Sequence, residues 1–275
     1  MKEAQEYFEE CRTAALKGDA NAQNELGGFY EGGDGVAEDL AESLKWYAKA
    51  SEQGHAEAQF SLGYFYQQGL GVEINRAETV KWYRKSAEQG YVLAEYNLGV
   101  HYQEGLGVAV NYAEAVKWFR RAAEQGYSEA QYSLGYCNER GLGVKPNINE
   151  AIKWYRKIAA RYDSRAQFAL GLFYEQGNGV SQDNEKALKW FRKAAEHGHK
   201  GAQYRLGVVL NAEAVRWYTE AALNGNQGAQ HNLGSCYFHG IGVDKDEVEA
   251  FRWWREAAEQ RDAAEYGCES ECCCR

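Results

Sequence analysis

The residues able to do chemistry are few in this chain and poorly arranged for it. His55, His101, His197, His199, His231 and His239 show no H-E-x-x-H spacing, the pattern that sets two imidazoles on one helix face around zinc. His197 and His199 complete no ligand set. Four of the seven cysteines, Cys268, Cys272, Cys273 and Cys274, crowd the last eight residues. Such a cluster could hold a soft metal, form intermolecular disulfides or take a lipid. It matches no specific motif, adjacent thiols chelate one tetrahedral ion poorly, and it reads as an incidental tail. The other three, Cys11, Cys137 and Cys236, make no disulfide framework, so a reducing compartment fits. Gly69-Leu70-Gly71-Val72 and Gly105-Leu106-Gly107-Val108 look like phosphate cradles but lack the Lys-Ser/Thr of a P-loop and follow no strand; they read as turns. Basic clusters at Lys81, Arg84, Lys85 and at Lys117, Arg120, Arg121 could attract phosphates or an acidic partner. Acids lie close by, as in the i,i+4 spacing of Arg84 and Glu88, so a solvated outer face is expected. No catalytic residue, cofactor site or metal site is assigned.

The elements that must carry these residues are set by a repeat. Trp46, Trp82, Trp118, Trp154 and Trp190 are each 36 residues apart; Trp217 follows after 27 and Trp253 after 36. Leu26, Leu62, Leu98, Leu134, Leu170, Leu206 and Leu233 keep the same steps. Seven units follow: 19–54, 55–90, 91–126, 127–162, 163–198, a shortened 199–225, and 226–261. Residues 1–18 resemble a second half-unit and are expected to form an N-terminal capping helix; residues 262–275 hold an incomplete repeat and the Cys-rich tail.

Within one unit, Ala58, Leu62, Phe65 and Tyr66 have helical spacing, as do Ala77, Val80, Trp82, Tyr83 and Ala87. The Gly69–Val72 loop separates these two helices, with Val72 expected to plug the gap beneath it, and Gly90 ends the second. Gly63 recurs in mid-helix as Gly27, Gly99, Gly135, Gly171, Gly207 and Gly234. Its helix cost of about 0.5–1 kcal/mol relative to Ala implies close approach of a neighbouring helix, expected under the Trp ring. A short hairpin cannot bury both faces alone, so hairpins must stack. The expected fold is all-α, a right-handed superhelical α/α solenoid of 36-residue helix-turn-helix repeats.

The pattern A-x-A-Q-x-x-L-G-x-x-Y-x-x-G-x-G-V followed by A-x-K-W-Y-R-K-A-A-E-Q-G resembles the Sel-one-like repeat family, relatives of the tetratricopeptide repeat, over residues 19–261. The resemblance implies a non-enzymatic adaptor or scaffold that binds a partner protein or peptide on its concave groove. Cysteine-bridged family members have been linked to β-lactam chemistry. This chain lacks their paired cysteines, leaving a cell-wall or β-lactam-related hydrolase as a remote alternative. An engineered or truncated repeat array without a native partner is a further one.

First helices of such a solenoid line the groove, and positions opposite Leu62 point into it. The candidate contact residues are Ser61, Tyr64, Gln68, Asn97, Val100, Glu104, Ser133, Tyr136, Arg140, Leu172 and Gln176. These positions vary between units while the framework hardly changes, and Tyr and Arg are common anchors.

The shortened unit lacks the glycine loop. Between Gly207 and Gly225 there is no Gly or Pro to force a reversal. Either the chain turns at Asn211 or residues 202–224 form one helix; the composition favours the single helix. That helix would push the last unit away and invite self-association through the 199–261 region.

The net charge of −9 argues against a nucleic-acid partner. No stretch is apolar and long enough for a membrane span, and the first twenty residues show no signal peptide, so a cytoplasmic protein is expected.

Overall fold

A computed structural model describes residues 2–209 and 214–270. All the secondary structure among them is helical. In the compact unit Met1–Ala151, α1 (Lys2–Leu16) precedes the pairs α2 (Ala20–Gly32) with α3 (Leu40–Glu52), α4 (Ala56–Gln68) with α5 (Arg76–Glu88), and α6 (Val92–Glu104) with α7 (Tyr112–Glu124). α8 (Ser128–Arg140) follows, and α9 (Ile148–Ala159) contains the unit boundary. In the unit Ile152–Arg275 the pairs are α10 (Ser164–Gln176) with α11 (Asn184–Glu196), α12 (Lys200–Val209) with α13 (Ala214–Leu223), and α14 (Gln227–His239) with α15 (Glu247–Ser270). Within each unit a second helix also packs on the next first helix, as α3 on α4 and α13 on α14.

Local chemistry starts and stops these helices. Asp39, Asn75, Asn111 and Asp183 stand in extended backbone just before a second helix, and each side chain accepts from a first-turn N–H. Gly69 closes α4 at φ +75°, donating its N–H to the Phe65 carbonyl. Gly71 has a second reason to be glycine. Besides φ +62°, a Cβ there would lie 2.9 Å from the Leu40 carbonyl at the start of α3. The loops at Gly71, Gly107, Gly143 and Gly242 thus rest on the preceding repeat's second helix, and the loops are turns.

The mid-helix glycines do mark close approach, but the ring is not the tryptophan. A Cβ on Gly63 would sit 2.7 Å from Tyr83, and one on Gly99 2.6 Å from Phe119. Gly27 meets Tyr47, Gly171 meets Phe191, Gly207 meets Tyr218 and Gly234 meets Trp254. The ring belongs to the residue after each repeated Trp, which also places Trp254 in the series. The tryptophans sit one step round the helix under basic side chains. Lys49 lies 3.8 Å from the centroid of Trp46, Lys85 4.1 Å from Trp82 and Lys193 4.8 Å from Trp190. Further basic residues pair with acids at the helix start, as Lys81 with Glu78 of the first turn at 2.9 Å and Lys186 with the N-cap Asp183 at 2.8 Å. Arg84, matched to Glu88 by spacing, instead donates to the Tyr102 hydroxyl.

The shortened unit is a helix pair. α12 packs on α13, with Gly207 against the Tyr218 ring as in full-length repeats. This overturns the single helix over 202–224. Trp217 packs with Phe191 and Leu206, while Tyr218 packs with Leu233 and Trp253. One continuous helix could not bring Tyr218 back onto Gly207. Asn211, the expected turn position, lies outside the described residues. Because α13 packs on α14, the detached last repeat that motivated self-association does not occur. α15 runs without a break through Ser270, so no new helix starts at 262. Cys272, Cys273 and Cys274 lie outside the described residues.

Candidate partner-binding face

The first helices are held in place by a polar ladder. Gln59 is buried, and its Nε2 donates to the Ser51 carbonyl, 3.1 Å away in the last turn of α3. Gln23 does the same to Ala15 and Gln131 to Ala123; in the other unit, Gln167, Gln203 and Gln230 reach Ala159, Ala195 and Ala222. Each bond is a second one to a helix-end carbonyl that already accepts the N–H three residues on, as Ser51 accepts from Gly54 at 3.1 Å. The amide oxygen then accepts from the end of the second helix of its own repeat, Gln53 to Gln23 at 2.7 Å and Gln89 to Gln59 at 2.8 Å.

Glu95 replaces glutamine once in this ladder and cannot donate to Ala87. Arg121 fills the gap: its guanidinium donates to the Ala87 carbonyl at 3.1 Å and stands 2.8 Å from Oε1 of Glu95. Gln125 donates to the other carboxylate oxygen at 2.7 Å. Burial raises the Glu95 pKa above the ordinary carboxylate range, and Arg121 and Gln125 offset only part of that.

A second set of contacts anchors the exposed side of the first helices. The Tyr47 hydroxyl donates to Glu31 at 2.7 Å and Tyr83 to Gln67 at 2.7 Å. Ser61 also interacts with the Tyr47 hydroxyl. Where the tyrosine is Phe191, Arg205 reaches Glu175 directly, with bonds of 2.8 and 2.7 Å to its two oxygens.

The Sel1 repeat family matches at residues 20–55, 56–91, 92–127, 128–163, 164–199, 201–226 and 228–262. The chain belongs to the Sel1 repeat family. Two solved structures extend the likeness. One is c5321, a protective antigen of uropathogenic Escherichia coli strains with an SLR fold: 40% identity, TM-score 0.87, 94% of this chain and 57% of that one. The other is a Sel1 repeat protein from Oxalobacter formigenes: 30% identity, TM-score 0.80, 96% of this chain and 80% of that one. The chain therefore spans little more than half the length of the antigen. No curated protein matches it.

In this Sel1 repeat protein the eleven candidate residues separate into two kinds. Tyr64, Gln68, Glu104, Tyr136 and Arg140 are exposed on α4, α6 and α8. Tyr64 is 40% and Tyr136 39% exposed, and the Arg140 guanidinium lies 5.7 Å from the Tyr136 ring centroid. Ser61, Asn97, Val100 and Ser133 are half-buried; Asn97 donates to the Leu93 carbonyl of its own helix at 2.7 Å. In the other unit Gln176 is exposed, whereas Leu172 packs against the cluster around Phe191 and Leu206. The ladder glutamines and the Glu95–Arg121 pair were missed on sequence. Their signal was available: a glutamine recurring on the buried side of a helix.

The histidines do structural work. His55 and His199 cap α4 and α12 through Nδ1, each accepting from a backbone N–H at 3.2 Å. His101 is buried, with Nδ1 2.7 Å from the Leu106 carbonyl. Among the described residues no three His, Cys, Asp or Glu converge as metal ligands, and no helix is long and apolar enough to cross a membrane.

Proposed function

We propose that this Sel1 repeat protein is a non-enzymatic scaffold that binds a protein or peptide partner on the exposed side of its first helices. The observation that carries this reading is a contrast within the chain. Framework contacts recur from repeat to repeat, while Tyr64, Gln68, Glu104, Tyr136 and Arg140 vary and face solvent. Two exposed tyrosines supply large, rigid contact surface at low entropic cost, and Arg140 adds a planar fork of donors. The cytoplasm is the compartment proposed, since the described thiols Cys11, Cys137 and Cys236 are all free.

The test is affinity capture from the source cell with quantitative mass spectrometry. The parent is compared with Tyr64→Ala/Tyr136→Ala and with a Lys81→Ala/Lys117→Ala control on the second helices. A partner lost only from the tyrosine variant supports the reading. Identical capture by all three proteins overturns it.

A further inference from the structure

Among the described residues no further first helix packs on the outer face of α15. In each unit the second helix turns a stripe of apolar residues toward the following first helix. Val80 and Val116 are 6% and 4% exposed on this stripe, and Ala87, Ala195 and Ala222 further along it are fully buried. The same register on α15 is Phe251 and Ala258. Phe251 is 62% exposed, Val248 one turn earlier is 79% exposed, and Ala258 is open to solvent. Val248, Phe251 and Ala258 lie at i, i+3 and i+10 on one helix face, with the exposed Arg255 between Phe251 and Ala258 at i+7.

Beside this face is a slot for an aromatic ring. At three repeat junctions two rings are joined by a third from the residue that precedes the next first helix, whereas Asp163 and Asn226 stand at that position elsewhere. Tyr91 lies 5.3 Å from Phe60, which stacks on Tyr83; Tyr127 lies 5.1 Å from Tyr96; His199 stacks on Phe168 at 4.3 Å. The last repeat has the first two rings, His231 and Trp254, 6.3 Å apart. The residue at the third position is Asp262, and it lies inside α15 instead of capping a new helix. A cleft of about 310 Å³ remains there, lined by Gln227, Gly228, His231, Trp254, Ala257 and Ala258.

We propose that this α14–α15 face is a docking site for an amphipathic helix of a partner protein, one with the character of a Sel1 first helix. The occupant carries Tyr or His just before the helix, to enter the slot beside Trp254, then an A-x-x-x-L-G stripe to cover Phe251 and Ala258. Continuity with the internal junctions specifies that chemistry: the A-x-x-x-L-G stripe recurs along the first helices, and the preceding ring is present at three junctions. The site is separate from the first-helix face proposed above and does not depend on it.

The test uses the intact chain and a hydrocarbon-stapled peptide of residues 127–140, whose helicity is first established by circular dichroism. Anisotropy should show saturable binding, on the order of 10 μM. Phe251→Glu/Ala258→Glu should weaken it at least about tenfold with the parent's melting temperature retained, because both side chains are exposed. A peptide carrying Tyr127→Ser should weaken it by a similar factor, reading the slot separately. No saturation by the helical peptide up to about 1 mM overturns the proposal. So does binding indifferent to both changes. A Phe251-dependent dimer that the peptide does not disperse also overturns it, because the occupant is then a second copy.

Discussion

Arg121 on α7 stands 2.8 Å from the Glu95 carboxylate on α6 and donates to the Ala87 carbonyl that ends α5. One guanidinium thus does what a glutamine amide does in other repeats and neutralises the acid that replaced it. Lysine occupies its position in neighbouring repeats, as Lys85 and Lys157, and a lysine has no planar fork to serve both acceptors.

Glu95 is 1% exposed, and its folded-state pKa is raised. A raised carboxyl pKa means the folded state holds the proton to higher pH than the unfolded state does. The group's favourable contribution is present below the unfolded value and is lost as pH rises through the folded one. Glu95→Gln should therefore gain stability over the parent as pH rises from 4 to 8, reaching about 0.5–1 kcal/mol at pH 7. Arg121→Ala should instead lose about 2–3 kcal/mol by leaving the buried carboxylate unpaired. Urea unfolding across that pH range measures both; equal parent and Glu95→Gln curves at every pH would contradict the assignment.

His101 occupies a core position held by Phe65 and Phe173 in other repeats, and burial lowers its pKa. The unfolded chain then takes the proton first, so stability falls as pH drops through the ordinary histidine value near about 6.5. In His101→Phe the acid-side fall between about pH 7 and 5 should be shallower. Thermal melts at half-unit steps resolve the difference in slope.

Gly99→Ala should destabilise by about 1–3 kcal/mol, because the new Cβ meets the fully buried Phe119 ring. Adding Phe119→Leu should recover part of the loss by removing the ring edge. A double-mutant cycle in denaturant unfolding reads this as a coupling energy.

Tyr162 adopts φ +67° where Gly18, Gly54, Gly90, Gly126, Gly198 and Gly225 stand at the other junctions. A left-handed tyrosine costs more than the chain entropy that glycine loses, so Tyr162→Gly should stabilise by about 0.5 kcal/mol. A lower urea midpoint would contradict this.

The Cys11 and Cys137 thiols are buried, and burial pushes both up to about 11. At pH 8 they should stay unalkylated by iodoacetamide in the folded protein and react fully in denaturant. Peptide mapping by mass spectrometry follows each one, and labelling of folded protein at the rate of a free thiol contradicts the burial.

Two periodicities determine much of this protein from sequence alone. The 36-residue step of Trp and Leu sets the number of helix pairs, and the spacing of apolar residues inside a unit sets which faces are buried, because stacked hairpins have no other way to cover them. Gly63 announced a close helix contact, since a mid-helix glycine is otherwise unfavourable. Tertiary structure decided that Tyr83 makes that contact: Trp82 is the neighbouring residue, but the helix turns about 100° between them and only one ring can face Gly63. It also decided the reversal after Val209. No Gly or Pro signals it locally, and the burial of Tyr218 against Gly207 is what requires it. Ser61 and Leu172 matched the exposed spacing of their helices, yet one interacts with the Tyr47 hydroxyl and the other packs on a core cluster. Helical phase assigns a residue to a face; what covers that face depends on the neighbouring repeat.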